Sequence, residues 1–141
     1  MKNNIMLTGE IKVGKSTIIN KVIDKYFKDK NIAGFKTLPF YEEDEVKGYY
    51  IQDQLNKNEI ADKSNMVGVV SEKEMRCFGI TETFESLGVE ILNRSFKEDV
   101  DLVLVDELGF FENNADNFKE IVHKVFDSKK QVIGVLKKKD T

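Results

Sequence analysis

This chain of 141 residues has one cysteine and one proline, and its basic residues do not outnumber its acids. Cys77 has no partner for a disulfide within the chain, which suits a reducing compartment. Lys and Arg total 22 against 25 Asp and Glu, giving a net charge of −3 and a pI near 5.3. A dedicated nucleic-acid binder would show the opposite balance, so no nucleic-acid partner is expected. Residues 1–7 run straight into a glycine loop, leaving no room for a leader's apolar core. No apolar run approaches bilayer length, so no membrane partner is expected either. Repeats and low-complexity linkers are also missing. The expectation is one cytoplasmic domain of ordinary globular composition.

Against these absences stands one dense stretch, MLTGEIKVGKSTII, at residues 6–19. Gly9, Gly14, Lys15 and Ser16 satisfy the spacing G-x-x-x-x-G-K-[ST]. Residues 4–8 read as a buried strand, and Ile18, Ile19, Val22 and Ile23 mark one face of a helix. The pattern carries weight only between a strand and a helix, and here it has both. In such a turn the backbone N–H groups of Gly9, Glu10, Ile11, Lys12, Val13, Gly14, Lys15, Ser16 and Thr17 would converge on phosphates. The positive end of the helix would reinforce them. Lys15 would reach the outer phosphates, and the Ser16 hydroxyl would ligate Mg²⁺. A chance match in a helix-entry loop is the competing reading.

A second signal lies far along the chain. Residues 102–105, Leu-Val-Leu-Val, form a continuous apolar run, expected of a strand covered on both faces. Asp106 and Glu107 follow it directly. A carboxylate there suits Mg²⁺, so Asp106 would hold the metal, mostly through water. Glu107 could orient or deprotonate an attacking water. Acids at a strand end are common alone, but coupled to the loop they indicate a magnesium–nucleotide site. Residues 106–109 also satisfy D-x-x-G, and residues 56–59, Asn-Lys-Asn-Glu, imitate a guanine-reading motif. That imitation precedes Asp106 instead of following it and ends in Glu, so a dedicated GTPase is not favoured.

The intervening sequence fills in an α/β pattern. Residues 32–38 read as a strand ending at Pro39, and residues 46–51 as its hairpin partner across the acidic run 41–45. Residues 66–70 form a short strand. Phe84, Leu87, Ile91 and Leu92 fall at helical spacing within residues 81–96. Phe118, Ile121, Val122, Val125 and Phe126 do the same, and residues 131–136 make a final strand. The expected fold is a three-layer α/β/α P-loop domain with a largely parallel central sheet plus a β-hairpin. His123 reads as a surface or semi-buried residue, Cys77 as a packed small one, and Phe110 and Phe111 as core or as a base-stacking pair. Residues 137–139, three lysines, read as a solvated tail.

With these residues in place, the chain resembles the small P-loop nucleoside-triphosphatases called cancer-related or thermophilic. The resemblance runs from the loop at Gly9–Thr17 through Gly34-Phe35 and Cys77-Phe78-Gly79-Ile80 to Asp106-Glu107-Leu108-Gly109. It implies Mg²⁺-dependent hydrolysis of ATP, GTP and related triphosphates with little base discrimination. By position, Lys15 and Glu107 would be catalytic, Ser16 and Asp106 would serve the metal, and residues 9–17 would bind nucleotide. The family loop usually carries a Pro and another Gly where this chain has Glu10, Ile11 and Lys12. Family members also continue through a further helix and strand, so residues 1–141 are expected to be a single domain without them. Two other functions share this core. A small-molecule kinase would bring arginines over the phosphoryl group, and this chain has only Arg76 and Arg94. A nucleotide-binding adapter, like the helper of molybdenum-cofactor guanylylation, would differ only in its protein partner, which the sequence does not identify.

Overall fold

The computed structural model describes residues 4–9, 15–56, 60–62, 64–71, 73, 76–97, 99–108 and 115–137. Within them, seven strands form one sheet in the order β1-β7-β6-β2-β3-β4-β5. The strands are β1 (Ile5–Gly9), β2 (Ile32–Glu42), β3 (Glu45–Asp53), β4 (Met66–Ser71), β5 (Arg76–Gly79), β6 (Leu102–Leu108) and β7 (Gln131–Lys137). β1, β7, β6 and β2 are mutually parallel, whereas β2, β3, β4 and β5 are joined antiparallel. The hairpin expected at residues 32–51 is present, and β4 and β5 continue it into a meander.

β6 explains the layering. Leu102 and Leu104 point to one face and Val103 and Val105 to the other, and all four are fully buried. The first pair packs with Ile133 and Val135 under α1 (Lys15–Tyr26), which contributes Ile19, Val22 and Ile23. The second pair packs with Phe84, Ile91, Phe118 and Val125 from the opposite helices. Those are α2 (Thr81–Thr83), a π-helical segment (Phe84–Gly88) and α3 (Val89–Arg94) in one continuous run, followed by α4 (Asp116–Asp127). This is the three-layer α/β/α arrangement. Gly88, at the end of the π segment, lies against Phe118. A β-carbon on Gly88 would stand 2.8 Å from that ring, so the glycine lets the two helices close.

α4 has no cap of its own, because Ala115 precedes it without a side-chain bond. Glu85 caps it from the π segment instead. Its Oε1 accepts from the Phe118 N–H at 3.0 Å, and its Oε2 accepts from Asn117 Nδ2 at 2.7 Å. A carboxylate there also suits the positive end of α4.

One reading needs correction. The strand does not end at Pro39: β2 runs on to Glu42, with Pro39 opposite Tyr49. Pairing with β6 stops at Phe35↔Val105, so beyond that point β2 has a ladder partner on one side only. Thr37 directs its N–H toward β6, and Pro39, two residues on, faces the same edge. A residue without N–H is tolerated there. The acidic run forms the hairpin tip: Glu42, Glu43, Asp44 and Glu45 are exposed, with Glu43 and Asp44 at φ of 52° and 64°. That is the mirror-image turn geometry matching strand twist.

Candidate functional site

The strand–loop–helix frame of the glycine motif is in place. β1 ends at Gly9 and α1 begins at Lys15, while residues 10–14 lie outside the described residues. The side chains of Lys15, Ser16 and Thr17 are likewise not described, although their backbone forms the first turn of α1. That turn leaves N–H groups without intrahelical partners and carries the helix's partial positive charge. Ile19, 3% exposed, pins the helix to the sheet one turn further on.

β6 brings the acids to the same edge. Thr8 pairs with Leu136, and Leu136 pairs with Leu108, so the C-terminal ends of β1 and β6 are level across β7. Two strand spacings separate them, roughly 10 Å. The end of β6 is not regular. Between Val105↔Gly134 and Leu108↔Leu136, β6 advances by one residue more than β7. The bulge falls on Asp106 and Glu107. Such bulges re-aim side chains and occur beside active sites.

Asp106 is 5% exposed. Its Oδ2 accepts the main-chain N–H of Thr37 at 2.8 Å, and its carbonyl oxygen accepts from Thr37 Oγ1 at 3.3 Å. Asp106 and Thr37 line a cleft with Ile19, Asn20, Lys36 and Leu38, between α1 and the stretch of β2 beyond its ladder with β6. Lys36 Nζ donates to Asn20 Oδ1 at 2.7 Å across this cleft. Glu107 follows Asp106 in β6, with its side chain outside the described set. No spacing or periodicity in the sequence marks Thr37, Lys36 or Asn20. Nothing in a lone threonine of a β-rich segment reveals that it will lie against an acid 69 positions away.

The remaining candidates lie elsewhere. His123 is exposed on α4. Arg94 bonds Asp53, whose side chain is 1% exposed, and Glu90 at 2.8 Å, so it serves the junction of α3 with β3. Lys57, Asn58 and Glu59 of the guanine-like motif, Phe110 and Phe111, and Lys138 and Lys139 lie outside the described residues, and the Cys77 side chain is not described. No helix among the described residues is long and apolar enough to cross a membrane.

The chain matches the family described as NTPase over residues 4–141. It is 32% identical over 134 residues to nucleoside-triphosphatase THEP1 of Thermotoga maritima, covering 95% of this chain and 74% of that protein. It is 30% identical over 133 residues to the protein of the same name from Methanocaldococcus jannaschii, covering 94% and 76%. The solution structure of a human cancer-related nucleoside triphosphatase superposes with a TM-score of 0.71 at 18% identity. That match covers 98% of this chain and 77% of the human one, and it speaks for the fold.

Proposed function

The chain belongs to the NTPase family, and from that premise we propose that it binds a nucleoside triphosphate across the ends of β1 and β6 and hydrolyses it to diphosphate and phosphate. The observation that carries this reading is Asp106: a buried carboxylate, at a bulge, level with the C-terminal end of β1, the strand that precedes α1. As a hard oxygen donor it fits Mg²⁺. Among the described residues no three His, Cys, Asp or Glu side chains gather into a cage. Mg²⁺ asks for none, since it binds through one or two carboxylates plus substrate phosphates and water.

In this reading residues 9–17 wrap the phosphates, and Lys15 neutralises the outer ones. Ser16 and Asp106 hold Mg²⁺, whose part is to offset charge on the phosphate oxygens. Glu107 accepts a proton from water as the water oxygen bonds to the terminal phosphorus and the bond to the leaving diphosphate breaks. No base-reading side chain enters the scheme, so ATP and GTP should bind within about tenfold of each other. Turnover should be slow, and the setting cytoplasmic, with residues 1–141 acting as one domain. Arg94 is engaged with Asp53 and Glu90, which weighs against a kinase lid built on it.

The test is a panel of triphosphates with and without Mg²⁺, assayed for free phosphate and for transfer to acceptors. Glu107→Gln should keep nucleotide binding while hydrolysis falls by about 10²–10⁴-fold, the range for general acid–base groups. Asp106→Asn should instead weaken metal-dependent nucleotide binding. Equal behaviour of the two variants would remove the division of labour. Binding without wild-type hydrolysis would favour the adapter reading.

A further inference from the structure

We infer that Thr37 is the positioning residue for Asp106, setting the direction in which its carboxylate faces the cation. The inference rests on the reading of Asp106 as the metal-side acid. It follows from how β2 and β6 part company. Their ladder ends at Phe35↔Val105, just where the bulge takes Asp106 and Glu107 out of register. The next inward-facing N–H of β2, that of Thr37, meets the Asp106 carboxylate instead of a strand carbonyl. A side chain thus replaces a ladder bond.

The second contact makes the arrangement stiff. Thr37 Oγ1 donates to the Asp106 main-chain carbonyl, so one residue holds both the backbone and the carboxylate of the other. Thr37 is 6% exposed and Asp106 5%, so water has little access to either group. Rotating the carboxylate away would strand a buried N–H, which folded proteins avoid. Asp106 therefore meets a cation with its orientation already set, and metal binding need not fix it. Because the key donor is a main-chain N–H, the alignment belongs to the strand itself and not to a flexible side chain.

Mn²⁺ binding in the presence of ADP, read from the free-ion paramagnetic resonance signal, tests this without relying on turnover. Thr37→Val removes the hydroxyl bond and should weaken Mn²⁺ by about threefold to tenfold, whereas Thr37→Ser should restore it. An ester in place of the Thr37 amide removes the N–H and leaves the Thr37 side chain intact. It should cost about ten- to a hundredfold, as expected for a bond to a charged group. ADP affinity in EDTA should stay constant throughout. Unchanged Mn²⁺ affinity in the folded Val and ester variants overturns the inference. So does a parallel loss of metal-free ADP binding, which would mark a merely structural tie. If the ester protein does not fold, the Val and Ser pair decides. Asp106→Asn separates the two levels. If it leaves Mn²⁺ binding intact, the metal reading of Asp106 falls, and this inference with it. If it weakens Mn²⁺ while the Thr37 variants do not, only the role of Thr37 falls.

Discussion

The two halves of the sheet are built on different principles. The parallel half, β1-β7-β6-β2, is sandwiched: successive residues of β6 enter two separate apolar cores, and Val132 and Ile133 of β7 divide in the same way. The antiparallel half pairs strands that follow one another in sequence and keeps part of its surface in water. Val69 of β4 is 44% exposed, and Tyr41 of β2, near the hairpin tip, is 60% exposed. Every feature of the candidate site lies on the parallel half or on the stretch of β2 just beyond it. Burial on both faces supplies rigidity, and strand ends that share one edge supply convergence. The meander supplies neither. β2 belongs to both halves, and Gly34 lets it approach β6. Gly34 adopts φ +93°, and a β-carbon there would lie 1.9 Å from the Leu104 carbonyl oxygen.

The sharpest way to break this comparison is to hollow out one half and trim the other. Phe118 is fully buried between Phe35 and Phe84, with ring centroids at 5.9 and 4.8 Å. Phe118→Ala should cost about 3–5 kcal/mol, as large-to-small core changes do. Val69→Ala in the meander should stay within about 0.5 kcal/mol. Equal losses in urea unfolding would mean that the two halves are not energetically distinct.

The join between the halves comes next. Arg94 of α3 bonds Asp53 at the end of β3, and the Asp53 side chain is 1% exposed. Arg94→Ala would leave that carboxylate with the Leu55 N–H, which reaches Oδ1 at 2.9 Å, and without its charge partner. A loss of about 3 kcal/mol is expected, because stranding one member of a buried pair is costly. A variant as stable as wild type at neutral pH would show that α3 is not clamped to β3 through this pair.

A smaller effect, and a gain, is expected within the antiparallel half. Asp44 holds φ 64° at the hairpin tip, a conformation that glycine adopts without strain. Asp44→Gly should stabilise by about 0.5–1 kcal/mol and leave nucleotide binding untouched. A change in affinity would join the tip to the site and blur the contrast.

What the sequence disclosed follows the same divide. The frame around the glycine motif, the apolar run of β6 and the helices with Phe84 and Phe118 were all legible, because each is a local pattern of periodicity or spacing. Pairing is not local. That β7 lies between β1 and β6, that β2 outruns β6 through Pro39, and that Thr37 reaches Asp106 depend on which distant strands meet. The bulge at Asp106 and Glu107 is likewise a mismatch between two strands, visible in neither alone. In the sequence β5 is visible only within the family-like segment Cys77-Phe78-Gly79-Ile80. Its four residues, Arg76–Gly79, are too few for alternation to declare a strand.

The place of β1 in the sheet has one more consequence, for the chain as it is made. Among the described strands β1 lies at one edge of the sheet and pairs with β7, with Ile5 opposite Ile133. During synthesis β1 therefore waits for its described ladder partner until β7, 128 positions on by the Ile5↔Ile133 pair, has left the ribosome. The meander, whose contacts are between sequence neighbours, can close far earlier, because short loops cost less entropy to form. Translation thus completes the antiparallel ladders before the parallel pairing of β1 with β7.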